Sequence, residues 1–83
     1  MEYPAGWSEE KGRLSRTIDC GNFVDAVAFV DKIVPLAEQA GHHPDIEIFA
    51  YKNVRITLST HDAGNTITEK DLSLAEEING LLS

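Results

Sequence analysis

A single cysteine, Cys20, stands in a chain of 83 residues, so no internal disulfide can form. An unpaired thiol fits a reducing compartment. Positive charge is scarce as well: 7 Lys and Arg stand against 14 Asp and Glu, for a net charge of -7. Nucleic acid and anionic membranes both call for clustered Lys and Arg, so this balance disfavours direct binding to either. No apolar run approaches the ~18 residues needed to span a bilayer, and the N-terminal MEYPAGWSEEK has no signal-peptide pattern. A cytoplasmic location is the expectation. Internal repeats, low-complexity tracts and linkers are missing too, as is any G-x-S-x-G nucleophile motif.

What remains is ordinary for a folded protein. Hydrophobic residues make up 42% and charged residues 25% of the chain, which suits a soluble globular domain. The length predicts one domain, residues 1–83. A domain this small buries only ~60–65% of its unfolded surface, so its core is thin and a homodimer or homotetramer is expected.

Periodicity then divides the chain. Trp7 to Glu10 and Arg13 to Cys20 read as two short strands joined at Lys11-Gly12. Leu14, Ile18 and Cys20 share one parity, with Arg16 the imperfect member. Asn22 is a good helix N-cap, with Asp25 three residues on. Phe23, Val27, Val30, Val34 and Ala37 then recur at helical spacing, flanked by Ala26, Phe29, Ile33 and Leu36. The helix should end at Gly41, and Pro35 inside it should kink or split it. Ile46 to Tyr51 and Val54 to Thr60 alternate as a second hairpin with its turn at Lys52-Asn53. Thr68 and Asp71 cap a final helix whose expected buried stripe is Leu72, Ala75, Ile78 and Leu82. The predicted fold is α+β: a four-stranded antiparallel sheet of two hairpins, with two helices packed on one face, in the order β-β-α-β-β-α. The other sheet face is left to solvent or to association.

The 3 histidines of the chain are its candidate site residues. His42 and His43 follow the helix end directly, and His61 follows the return strand of the hairpin. A hairpin brings the chain back to the end where it entered, so His61 should return near the His42-His43 pair. Three readings stay open on the residues alone. Two imidazoles flanking a small molecule can act as acid and base near neutral pH. Three imidazoles with Asp62 could hold a catalytic zinc, though the spacing matches no standard ligand signature. The third reading is a His-His pair in a turn and a surface His61. Glu38, one turn before His42, and Asp62 could each orient an imidazole. Pro44 restricts His43 to an extended conformation. Asp71 is read first as a helix-cap carboxylate. Tyr51 could stack on a flat ring, while Trp7 and Phe49 are read as packing or interface residues. Cys20 sits in an apolar pattern unsuited to a nucleophile.

Taken together, Glu38-x-x-x-His42-His43-Pro44, then Tyr51, His61 and Asp71, resemble the signature of the pterin-4a-carbinolamine dehydratases. The likeness runs from GWS at Gly6 through FVDAVAFVDKI and LAEQAGHHPDI to LSTHDAG and TEKD. The resemblance implies a four-stranded antiparallel sheet with helices on one side, forming dimers and tetramers. It implies dehydration of a 4a-hydroxytetrahydropterin to a quinonoid dihydropterin, with no metal and no organic cofactor. His42 and His61 would be acid and base, with His43 beside them holding the pterin. Glu38, Tyr51, Asp62 and Asp71 would complete the substrate-binding set. Two departures bear on pocket shape: the HDAGNTITEKD segment, where the family has a tighter turn, and Gly41, where some members carry an acid. The resemblance also implies a rival, protein-binding role, since some relatives are dimerisation cofactors of a transcription factor and others assist Rubisco assembly.

Overall fold

The computed structural model describes residues 2–82, with the side chain of Asp62 outside the described set. The elements are β1 (Ser8–Glu10), β2 (Arg13–Asp19), α1 (Phe23–Ala40), β3 (Asp45–Phe49), β4 (Asn53–Leu58) and α2 (Glu69–Gly80), with one 3-10 turn, His61–Ala63, between β4 and α2. The four strands form one antiparallel sheet in the order β1-β2-β4-β3. The order β-β-α-β-β-α and the two helices agree with the sequence reading.

Alternation decides which side of the sheet is dry. Leu14 on β2 and Val54, Ile56 and Leu58 on β4 point to the helices and are fully buried. Ala26, Phe29 and Ile33 of α1 and Leu74, Ala75 and Ile78 of α2 close over them. The opposite face carries polar residues such as Ser15, Thr17, Arg55 and Thr57.

Arg16 breaks the apolar parity of β2 for a reason visible at the sheet edge. Its Nη1 donates to the Ala5 carbonyl at 3.0 Å and to Asn79 Oδ1 at 2.6 Å. The Trp7 indole N–H donates to that same Asn79 oxygen at 2.8 Å, and Trp7 itself is buried as packing. Gly6 has φ +84, and a Cβ there would lie 2.6 Å from Arg16 Cζ. Only glycine allows the guanidinium this close.

Four details of the sequence reading are corrected. α1 runs unbroken through Pro35. Pro35 and Asp31 are both exposed, so the carbonyl that loses its amide partner lies on the water side. The core-facing stripe of α1 is Ala26, Phe29, Ile33 and Ala37, while Phe23, Val27 and Val34 are 56%, 39% and 52% exposed. At about 100° per residue, the centre of the expected stripe lies roughly 75° around the helix from that of the buried one, with Ala37 common to both. The second hairpin turns at Ala50–Lys52 rather than at Lys52-Asn53, with Ala50 at φ 48 and Tyr51 at φ 55. Pairing Ile46 with Ile56 and Ile48 with Val54 makes Phe49 and Asn53 the closing pair, which leaves three residues for the loop. Finally, α2 buries Asp71, Leu74, Ala75 and Ile78, with Leu72 only half-buried. Leu82 lies past the helix end and is 41% exposed.

Candidate functional site

The histidine end of the molecule begins with a helix stop. Gly41 takes the left-handed conformation, φ 62 and ψ 31, and its N–H turns back on the Ala37 and Glu38 carbonyls. The His42 amide also donates to the Ala37 carbonyl, at 3.1 Å. This satisfies the Ala37 and Glu38 carbonyls of the last turn of α1 and turns the chain sharply toward the sheet. Pro44 then holds His43 extended as β3 begins.

On the other side, β4 delivers Thr60 and His61. The Thr60 amide donates to the Thr66 carbonyl at 2.8 Å, and the Asn65 amide donates to the Thr60 carbonyl at 3.0 Å. These bonds close the segment from 60 to 66 into a tight loop. Asp71, at the third position of α2, accepts the Thr68 amide with Oδ2 at 2.8 Å, the return arm of a capping box.

Each imidazole is held by a different partner. His42 Nε2–H donates to Asp71 Oδ1 at 2.5 Å, and the side chains are 11% and 0% exposed. The other Asp71 oxygen also accepts the Thr60 hydroxyl at 2.8 Å. His43 Nε2–H donates to Glu38 Oε2 at 2.6 Å in the open. His61 Nδ1–H donates to Asn65 Oδ1 at 2.7 Å. All three rings line one cavity of about 380 Å³, together with Ser59, Thr60 and Lys70. That is inside the range of roughly 300–1,000 Å³ usual for small-molecule sites.

The sequence-based candidates therefore separate. His42, His43 and His61 converge. Asp71 caps α2 as expected and also holds His42, but it is fully buried and does not line the cavity. Glu38 stands behind His43, outside the cavity wall. Tyr51 does not belong to this site: it is in the β3–β4 turn, 63% exposed. A strand of five residues, roughly 15–17 Å long, separates it from the histidines. Asp62 lies outside the described side chains. Phe49 packs under the Arg55 guanidinium, 4.4 Å from ring centroid to Cζ. Cys20 is half-buried, and burial, with Asp19 and Asp25 nearby, pushes its thiol above the ordinary range. That fits its exclusion as a nucleophile. Among the described residues no three His, Cys, Asp or Glu side chains gather as a metal-ligating group.

Sequence reasoning missed Arg13, Thr57, Asn65 and Lys70, all of which line the cavity. The parity of Thr57, shared with Arg55 and Ser59, was a usable signal for a residue facing away from the core. Lys70 precedes Asp71 directly, but only the fold of the loop shows that its side of α2 meets the cavity.

The family described as pterin 4 alpha carbinolamine dehydratase matches residues 1–81. A protein of Trichormus variabilis, provisionally named a pterin-4-alpha-carbinolamine dehydratase, is 50% identical over 74 residues, covering 89% of this chain and 77% of the relative. One of Chloroflexus aurantiacus with the same provisional name is 50% identical over 76 residues, covering 92% and 80%. Among solved structures, a transcriptional coactivator/pterin dehydratase from Brucella melitensis superposes with a TM-score of 0.84 at 30% identity, over 95% of this chain and 84% of that one. A pterin dehydratase-like protein described as a RuBisCO assembly factor of the alpha-carboxysome superposes at 0.69 with 25% identity, over 90% and 84%. With a match over nearly its whole length and relatives at half identity, the chain belongs to the pterin 4 alpha carbinolamine dehydratase family.

Proposed function

We propose that this protein dehydrates a 4a-hydroxytetrahydropterin to the quinonoid dihydropterin by histidine acid–base catalysis, recycling a tetrahydropterin in the cytoplasm. The observation that carries the reading is the convergence of His42, His43 and His61 on one cavity. Loss of the 4a-hydroxyl needs a proton delivered to the leaving oxygen and another removed from N5. The hydrogen bonds suggest how the work divides. His42 has a buried carboxylate behind it, a counter-charge for a protonated ring that donates to the departing hydroxyl. His61 has a neutral amide behind it, which fixes the proton on Nδ1 and leaves Nε2 as an acceptor for the N5 proton. His43, exposed and paired with Glu38, holds the pterin. The chemistry requires neither metal nor organic cofactor.

A direct assay with chemically generated 4a-hydroxytetrahydropterin tests the proposal. His42→Ala and His61→Ala should each lower the dehydration rate by at least ~10²-fold with the fold retained by circular dichroism. EDTA should leave turnover unchanged. Wild-type turnover in either alanine variant removes that residue from the mechanism, and loss with EDTA restored by zinc replaces it with a metal-assisted one.

A protein-binding role is the second reading, and one observation favours it. Phe23, Val24, Val27 and Val34 leave an apolar surface on α1, and none of them lines the histidine cavity; the two structural relatives are described by partner roles. The two readings do not exclude one another.

A further inference from the structure

The cavity holds more positive charge than the chain's composition would place there. Acids outnumber cations two to one, at 14 against 7. Yet among the described residues the charged groups that line the cavity beside the histidines are Arg13, Lys70 and one acid, Asp45. Two of the described carboxylates nearby, Glu38 and Asp71, are tied to imidazole rings, while Glu69 and Glu77 border a separate groove with His42 and Lys70. Asp45 does not neutralise the pair: it is 82% exposed and only reaches Arg13 at 4.0 Å. Among the described residues Lys70 has no ion-pair partner. The reaction gives these cations no work, because the dehydration needs proton transfers at C4a and N5 and creates no new anion on the substrate.

The same wall continues past the cavity. Arg13 and Thr57 also line a groove of about 620 Å³ on the polar face of the sheet, with Lys11, Ser15 and Thr17 along it. Among the described residues Glu10 is its one acid, and its other cation, Arg55, is engaged by Glu47 at 2.6 Å. Arg13 thus stands where the cavity opens into the groove. A pterin ring among the imidazoles could run its 6-substituent past Arg13 into this groove of hydroxyls and cations.

Resting on the dehydratase reading, we propose that the substrate is a pterin whose 6-side chain ends in an anion, a phosphate ester or a carboxylate, with Arg13 and Lys70 as its binding residues. Neutral hydroxyalkyl pterins would enter the same cavity and forgo this contact.

Equilibrium binding to the intact protein, read by pterin fluorescence, separates the possibilities. The probes are 6-hydroxymethylpterin, its phosphate ester and 6-carboxypterin. At low salt the phosphate ester should bind about tenfold more tightly than the neutral alcohol. The preference should shrink as salt is raised. In Arg13→Gln/Lys70→Gln it should fall to within about twofold while the alcohol binds as before. Lys52→Gln, which removes a cation in the far turn, should leave the ratio intact. A gain confined to one of the two anionic probes identifies phosphate or carboxylate as the group selected. Equal affinity for neutral and anionic probes, or a preference that survives the double substitution, overturns the proposal and leaves the dehydratase reading standing. Failure of all three probes to bind overturns both.

Discussion

The Asp71 carboxylate accepts from the His42 ring, the Thr60 hydroxyl and the Thr68 amide while fully buried. Helix capping and ring positioning are therefore one arrangement, and a substitution should disturb both. Asp71→Asn makes the separation measurable. Its carbonyl oxygen can still take the Thr60 and Thr68 donors, but its NH₂ then faces His42 Nε2. The ring must accept there and carry its proton on Nδ1, the reverse of the native tautomer. We expect a stability loss of about 1–3 kcal/mol in denaturant unfolding. The dehydration rate should fall further than that loss explains, with ¹⁵N shifts of His42 reporting the switched tautomer. Native turnover together with a native tautomer would show that Asp71 serves the helix alone. At this scale the sequence was half readable. The local signs were clear: Asn22 before α1, Thr68 and Asp71 at the start of α2. The His42–Asp71 bond joins residues 29 apart, and no local pattern announces it. Asn65 was hidden differently, because its value lies in a left-handed backbone (φ 61) that turns its amide toward His61.

At the scale of elements, α1 shows why periodicity identifies a helix better than its orientation. Apolar residues cover most of its circumference, so the spacing fits more than one stripe. Packing selects the one with Ala26, Phe29, Ile33 and Ala37, where small alanines let the helix approach the sheet and Phe29 and Ile33 fill the space between. Ile33→Ala should then cost about 2–5 kcal/mol, as expected for a large side chain removed from a closed core. Val24→Ala, at a position 75% exposed, should change stability by no more than about 0.5 kcal/mol. Urea unfolding of the two variants decides the orientation of the helix, and a reversed ranking would mean that α1 packs on its other face. Pro35 misled for a related reason. One lost amide bond on the water side does not break a helix whose buried turns before and after it are both anchored. The Ala50–Lys52 turn was displaced because strand register follows the apolar pairs, and the residues left over become the loop.

For the whole molecule, the face expected to remain open proved polar, and the exposed apolar surface lies on α1 instead. Phe23, Val27, half-buried Val30 and Val34 form a ridge with spacings of four, three and four residues. That repeat is the seam along which helices pack side by side. A water-exposed ridge of this kind in a domain with a thin core is better accounted for by a partner than by solvent. The expected partner is a second copy, because antiparallel pairing of α1 with itself sets each ridge against an identical one. Size-exclusion chromatography with light scattering should give a dimer or tetramer at micromolar concentration, and Val27→Asp should shift it toward monomer. The histidine cavity lies at the end of α1 rather than on the ridge, so any monomeric variant should still bind pterin. A wild-type protein that elutes only as monomer would refute self-association and leave the ridge free for a different protein. An association unmoved by Val27→Asp would place the contact on the sheet.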